Sequence, residues 1–203
     1  MITDSEIYKG GGTTILNIFT QNTQNDTLQD DGTVNRLIEN CSQSKESLST
    51  LYNMFKKSVF AVAYSITSDY QLAEDCVAET FIRLTQVRNF NSAKGDGRGF
   101  IHKVARNVAL EIRRSHHKDI DNVYISNYGE SDNTIENSLW LNGLLANLSD
   151  KQRQIVVMRC CSELSFKEIA KIMKCPESTI KSRYRKAISI LQEKAGVDSE
   201  KRK

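Results

Sequence analysis

Proline is almost absent from this chain of 203 residues: the only one is Pro176, and glycine is held to 10. A turn-rich β fold needs more of both, whereas helices tolerate their scarcity. No apolar run approaches the roughly 20 residues of a bilayer-spanning helix. Nor does the start resemble an export signal, since Met1 leads into Thr3, Asp4 and Glu6 rather than a basic stretch and an apolar core. A cytoplasmic location is therefore expected. The five cysteines (Cys41, Cys76, Cys160, Cys161, Cys175) contain no Cys-x-x-Cys pair, and His116 and His117 lie far from them in sequence. They read as buried thiols on helix faces rather than as zinc ligands. No Ser/His/Asp constellation and no cluster of carboxylates suited to a metal-dependent nuclease is present. No catalytic residue, cofactor, metal or small-molecule substrate is expected.

What is present is helical periodicity in two blocks. Residues 1–44 have little of it. Gly10-Gly11-Gly12 and the polar stretch Gln21 to Asp31 cannot bury enough surface to offset their ordering entropy, so this part is expected to be a flexible extension. Val34 to Ile38 is a short amphipathic piece within it, with a pattern compatible with a helix. From residue 45 the pattern changes. Leu48, Leu51, Tyr52, Phe55, Val59, Val62 and Ile66 share one face of a helix over about 46–66. Ser68-Asp69 supplies a break and a cap. Leu72, Cys76, Val77, Phe81 and Leu84 form a second stripe. Asn89 to Gly99 reads as a loop, and Phe100, Ile101, Val104, Ala105, Val108, Ala109 and Ile112 form a third stripe. Three such helices can bury their stripes against one another as a bundle over 45–117.

Residues 118–135 form an acidic, aperiodic connector (Asp119, Asp121, Glu130, Asp132) and mark a domain boundary. A second helical domain follows over 136–197, with a charged tail at 198–203. It opens with Leu139, Leu141, Leu144, Leu145 and Leu148. Ser149 with Gln152, and Ser165 with Glu168, fit two capping boxes, and Pro176 suits the first position of a further helix. The fold class is thus all-α, two small helical domains joined by a linker.

The segment 166–186 has helix–turn–helix form. Its second helix carries Ile180, Tyr184, Ile188 and Leu191 on one side and Ser, Thr, Lys and Arg on the other. Lys181 to Lys186 holds four basic residues and no acidic one. These side chains reach phosphates and base edges, and an α-helix fits the major groove. A turn glycine common in such motifs is replaced by Lys174. The first domain carries its own basic stripe: Arg98, Lys103, Arg106, Arg113, Arg114 and Lys118, opposed only by Glu111. Two basic surfaces point to two contacts with nucleic acid. The preceding helix instead exposes Glu74, Asp75 and Glu79, a face suited to a basic protein partner. The three histidines, His102, His116 and His117, look like basic-stripe and helix-end residues.

These runs resemble those of the sigma-70 family. Leu72-Ala73-Glu74-Asp75-Cys76-Val77-Ala78-Glu79-Thr80-Phe81 is similar to the domain 2 helix that docks on the β′ clamp of RNA polymerase. Val104-Ala105-Arg106-Asn107-Val108-Ala109-Leu110-Glu111 is similar to the helix that handles the minus-10 element. Leu164 to Ala170 followed by Ser178 to Arg183 resembles domain 4, which reads the minus-35 element. The three runs stand in the family's order over roughly 45–195, and the connector is too short for a folded third domain. That organisation matches the extracytoplasmic-function group.

The resemblance implies the following roles. Glu74, Asp75, Glu79, Phe81 and Leu84 would serve core-polymerase binding, the carboxylates in contact and Phe81 and Leu84 packing beneath or beside them. Phe90, Arg98, Phe100, Arg106, Asn107, Arg113 and Arg114 would serve the minus-10 DNA. Ser178, Thr179, Lys181, Ser182, Arg183, Arg185 and Lys186 would serve the minus-35 DNA. The partners implied are core RNA polymerase (β′ clamp and β flap), promoter DNA and a separate anti-sigma protein. Ala78 replaces a frequent Gln, Phe100 a frequent Trp, and Glu111 a common Asp. A free-standing helix-turn-helix regulator would also explain 166–186, but not the acidic face at 74–79 or the connector. A nucleic-acid enzyme lacks its carboxylates.

Overall fold

In the computed structural model of the chain, residues 31–88, 90, 96–119, 143 and 145–201 are described. Seven helices, and no strand, occur among the described residues: α1 Asp31–Asn40, α2 Lys45–Thr67, α3 Tyr70–Thr85, α4 Gly97–Asp119, α5 Asp150–Cys160, α6 Phe166–Met173 and α7 Glu177–Lys201. The chain divides into two compact units, one holding α1–α4 and the other α5, α7 and most of α6.

In the first unit each boundary has a local cause. The Ser44 side chain accepts from the Ser47 N–H at 3.2 Å and opens α2. Ser68 then turns left-handed (φ 55°) and donates its N–H to the Tyr64 carbonyl, ending α2. The next residue, Asp69, is extended, and its carboxylate accepts from the Leu72 N–H at 2.8 Å to start α3. Leu51, Phe55, Val59, Val62 and Ile66 of α2 are buried, as are Ala73, Cys76, Val77, Phe81 and Leu84 of α3 and Ile101, Ala105, Val108 and Ala109 of α4. The three expected stripes therefore meet as a bundle.

Three boundaries differ from the sequence reading. First, the expected flexible extension is wrong for its last part: α1 is a helix whose Val34 and Ile38, with Cys41 just beyond it, are buried in the same core cluster as Leu51, Leu84 and Ile101. A helix this short is not stable alone, and the burial of its apolar face holds it. The rest of the extension, residues 1–30, lies outside the described residues. Second, α4 begins at Gly97, inside the segment read as a loop, because the Asp96 carboxylate accepts from the Gly99 N–H at 2.8 Å and caps the helix there. Third, α4 runs to Asp119 and takes in the first residues assigned to the connector; residues 120–142 lie outside the described residues.

In the second unit α5 is buried on nearly every side: Gln152, Gln154, Ile155, Val156, Val157, Met158 and Cys160 all have little exposure. Such a helix is central to its unit. Its capping Gln152 Oε1 accepts from the Ser149 N–H at 3.0 Å and from the Ser149 hydroxyl at 2.7 Å. The Ser165/Glu168 box is reciprocal, with the Ser165 N–H donating to Glu168 at 2.6 Å and the Glu168 N–H to the Ser165 hydroxyl at 3.2 Å. Leu145 and Leu148 are buried; Leu139, Leu141 and Leu144 lie outside the described residues.

The α6–α7 turn ends α6 with Lys174 left-handed (φ 53°) and the Cys175 N–H donating to the Ala170 carbonyl at 3.1 Å. This bond closes a Schellman motif. Pro176 precedes α7 by one residue rather than opening it, and its carbonyl accepts from Thr179 and Ile180. Ile169, Ile172, Ile180, Tyr184, Ala187 and Leu191 seat the two helices. The Tyr184 ring meets Phe166 edge-on at 5.2 Å, and the Arg159 guanidinium lies 5.1 Å from the Phe166 ring centre. Of the five cysteines, Cys41, Cys76 and Cys160 are buried and Cys161 and Cys175 partly so; none is in a disulfide. Burial pushes the Cys76 and Cys160 thiols up to about 11, which makes them unreactive. No described helix is long and apolar enough to cross a membrane.

Candidate polymerase and nucleic-acid interfaces

On α7 the outward positions form one continuous stripe. Ser178, Lys181, Ser182, Arg185 and Lys186 are exposed, with Thr179 and Arg183 half-buried at its edges. The spacing i, i+3, i+4, i+7, i+8 places the exposed five on one face, opposite Ile180, Tyr184, Ala187 and Leu191. All seven residues expected from the sequence thus lie on or beside an accessible basic face. Lys181 pairs with Glu177, one turn back, at 2.7 Å. An exposed pair of this kind is weak, so another acceptor can displace the carboxylate. The basic face also begins at the helix N-terminus, where the dipole favours an anion.

On α3, Glu74 and Asp75 are exposed and Glu79 is half-buried. Phe81 and Leu84, which the resemblance places beneath or beside those carboxylates, are 5% and 0% exposed and belong to the core cluster. A side chain enclosed by its own bundle can support a surface but cannot touch a partner. The apolar component of this face comes instead from Ile82 and Tyr52, which are 51% and 42% exposed. The sequence reading missed both. Ile82 was detectable, because positions 75, 78, 79 and 82 share one helical face. Tyr52 packs edge-on against Phe81 at 5.0 Å, so the buried ring props up the exposed one. Glu79 is not a free carboxylate: Arg83 holds it at 2.7 Å and also bonds Glu111 of α4 at 2.7 Å. The Arg83 guanidinium beside Glu111 keeps that carboxyl below its ordinary range, and the two carboxylates in turn raise the arginine.

On α4, Lys103, Asn107 and Arg114 are exposed along one stripe that also includes Glu111, and Arg106 is half-buried beside it. Phe90 and Phe100 are partly buried and tilted together with ring centres 5.1 Å apart. Arg98 is half-buried in the first turn. The Arg113 guanidinium donates to the Ile66 carbonyl at 3.1 Å and so caps the end of α2. His102 is no basic-stripe residue. It is 1% exposed, its Nδ1–H donates to the Arg98 carbonyl at 2.8 Å, and its Nε2 pairs with the Ser58 hydroxyl at 3.2 Å. The imidazole thus ties the first turn of α4 to α2. Among the described residues no group of three His, Cys, Asp or Glu side chains could hold a metal ion.

An all-helical chain with a basic helix-turn-helix in one unit, and adjoining acidic-apolar and basic faces in the other, is a DNA-binding protein equipped for a protein partner. Residues 51–118 match the family model of Sigma-70 region 2, and residues 138–191 match that of Sigma-70, region 4. Together they span more than half of the sequence, in the order the motifs dictated, and the chain belongs to the sigma-70 family, in its extracytoplasmic-function group. It is 27% identical over 144 residues to the ECF RNA polymerase sigma factor SigM of Bacillus subtilis (strain 168), a match covering 67% of this chain and 87% of SigM. Among solved structures it is similar to the sigma factor RpoE from Bartonella quintana, in co-crystal with the anti-sigma factor NepR, at a TM-score of 0.61 and 25% identity over 76% of this chain and 99% of RpoE. It shares its fold with CnrH, solved with the cytosolic domain of CnrY, at a TM-score of 0.63 and 14% identity, over 82% of this chain and 99% of CnrH. The protein is a sigma factor: it directs promoter-specific initiation by RNA polymerase and is not itself an enzyme.

Proposed function

We propose that the faces divide the work of initiation as follows. Glu74, Asp75, Ile82 and Tyr52 form the patch that docks on the β′ clamp, with Glu79 joining it once Arg83 is drawn off or shared. The exposed α4 stripe, with Arg98, Arg106 and Asn107, takes the minus-10 element, and the Phe90–Phe100 pair offers aromatic surface to an unstacked base. Stacking or pocketing of such a base contributes roughly 1–3 kcal/mol, enough to bias melting toward chosen sequences. The α7 stripe enters the major groove of the minus-35 duplex, where each good side chain–base pair adds roughly 1–3 kcal/mol of discrimination. The α5–α7 unit also meets the β flap. Arg114 and Lys103 contact phosphates, whereas Arg113 serves α2.

The observation that carries this reading is the segregation of charge. From Ser178 to Lys186 the exposed face of α7 carries lysine, arginine and serine and no carboxylate, while α3 presents carboxylates beside apolar side chains. Opposite surfaces of that kind fit a nucleic acid and a basic protein respectively. The RpoE complex supports a further proposal, that a separate anti-sigma protein binds this chain. A cytoplasmic location fits a partner of RNA polymerase.

The test is complex formation between the purified chain and bacterial core RNA polymerase, comparing wild type with Asp75→Arg plus Glu79→Arg. Loss of the complex on charge reversal is the expected result. No complex with wild type, together with tight binding of the free chain to duplex DNA, would leave an ordinary helix-turn-helix regulator.

A further inference from the structure

Helix α1 lies outside the residues matched to the family, which begin at 51, yet it touches the chain at both ends of the segment joining α3 to α4. At one end, the Cys41 thiol, just past α1, sits 3.0 Å from the carbonyl of Leu84 in the last turn of α3 and 3.0 Å from that of Ile38 in α1. Burial keeps this thiol protonated and therefore a donor. At the other end, Gly97, the first residue of α4, is in such close contact with α1 that a Cβ there would lie 2.5 Å from Asn35 Oδ1, 3.0 Å from Ile38 Cδ1 and 3.0 Å from Val34 Cγ1. All three atoms belong to α1. A side chain at 97 would thus force these side-chain ends of α1 to shift. Val34, Ile38, Cys41, Leu84 and Ile101 form one buried cluster, so the contacts at the two ends are mechanically continuous.

From this geometry we infer that α1 is a positioning element for minus-10 recognition: it braces Leu84 and Gly97 against each other and so fixes where Phe90, Arg98 and Phe100 stand. The inference rests on the proposed minus-10 role of these residues. Arg98 is one residue beyond Gly97 and Phe100 three, so a retreat of α1 from Gly97 displaces the turn that carries both. Neither Asp75 nor Ile82, on the outer face of α3, is in the α1 cluster. Core-polymerase binding should therefore survive a change that spoils the brace.

The experiment uses the full-length chain with bacterial core RNA polymerase. It compares core affinity, thermal unfolding and the enrichment of sequences from a promoter library randomised over the minus-10 element. Gly97→Ala and Cys41→Ala should each lower enrichment about tenfold, the worth of a single base-specific interaction, with core affinity and unfolding temperature little changed. Cys41→Ser, which keeps a donor, should recover enrichment, and Asn35→Ala should restore part of it in the Gly97→Ala background. Enrichment equal to wild type in both single variants would overturn the inference. So would a parallel fall in unfolding temperature, core affinity and enrichment that Cys41→Ser does not reverse, since α1 would then be structural only. A wild-type chain that enriches no minus-10 sequence would instead remove the minus-10 assignment, and this inference with it.

Discussion

Arg83 of α3 bonds Glu111 of α4 at 2.7 Å while holding Glu79 of its own helix at the same distance. One guanidinium thus links the α3–α4 packing to a carboxylate on the proposed polymerase face. Because Arg83 holds the folded Glu111 below the ordinary carboxyl value of 4.5, the pair stabilises the fold above that value. Its contribution is lost as pH falls through the folded-state value. Both partners are well exposed to solvent, so the contribution is only about 0.2–1 kcal/mol. Urea unfolding of wild type and Glu111→Gln should differ by that amount at pH 7 and converge well below pH 4.5. A difference that persists in acid would locate the effect in packing rather than charge.

Ile82 and Phe81 are adjacent but should fail in opposite ways. Ile82→Ala removes an exposed side chain and should leave stability within about 0.5 kcal/mol while weakening core-polymerase binding. Phe81→Ala empties a core position and should lose about 3–5 kcal/mol of stability. Denaturant titration alongside a core-binding assay separates the two.

Lys174 sits at φ 53° where the turn favours glycine. Lys174→Gly should stabilise the second unit by about 0.5–1 kcal/mol, the balance of left-handed strain relieved and glycine's extra chain entropy. Unfolding of the chain followed by a probe in the α5–α7 unit reads this. Loss of stability would mean that the lysine side chain outweighs its backbone cost.

Arg185 and Lys186 lie farther along the α7 stripe than Ser178 and Lys181. Arg185→Ala or Lys186→Ala should weaken minus-35 duplex binding uniformly across sequences and lower the salt slope by about 1 for each phosphate that is no longer neutralised. Lys181→Ala or Ser182→Ala should instead change which minus-35 bases are preferred. Holoenzyme binding to a set of minus-35 variants at several salt concentrations distinguishes the two effects.

The legibility of these features from sequence followed how local their causes are. The stripes of α2, α3 and α4, the Ser68-Asp69 joint and the Ser165/Glu168 box are set by residues three or four apart, and they stand where the pattern put them. Of helix α1 only the amphipathic piece Val34 to Ile38 was legible; that it docks was not, because what holds it is Leu84 and Ile101, remote in sequence. Gly97 misled for the same reason, since a glycine that signals a loop was there because another helix presses on it. The family motif pointed to an exposed carboxylate face on α3 but did not mark Ile82, which is exposed, as part of it. Arg113 and His102 fit the basic stripe by spacing, but their bonds to Ile66 and Ser58 join residues far apart in sequence.

Ser68 and Asp69 are the only residues between α2 and α3, and this shortness governs the order of assembly. Contacts between helices joined so tightly require little loop closure and form early. Helix α1, by contrast, leaves the ribosome before any of its partners, and its seat is complete only when Gly97 and Ile101 have been synthesised. During synthesis the α2–α3 hairpin closes first while Val34 and Ile38 stay exposed. The first-made of the described helices is thus among the last to dock.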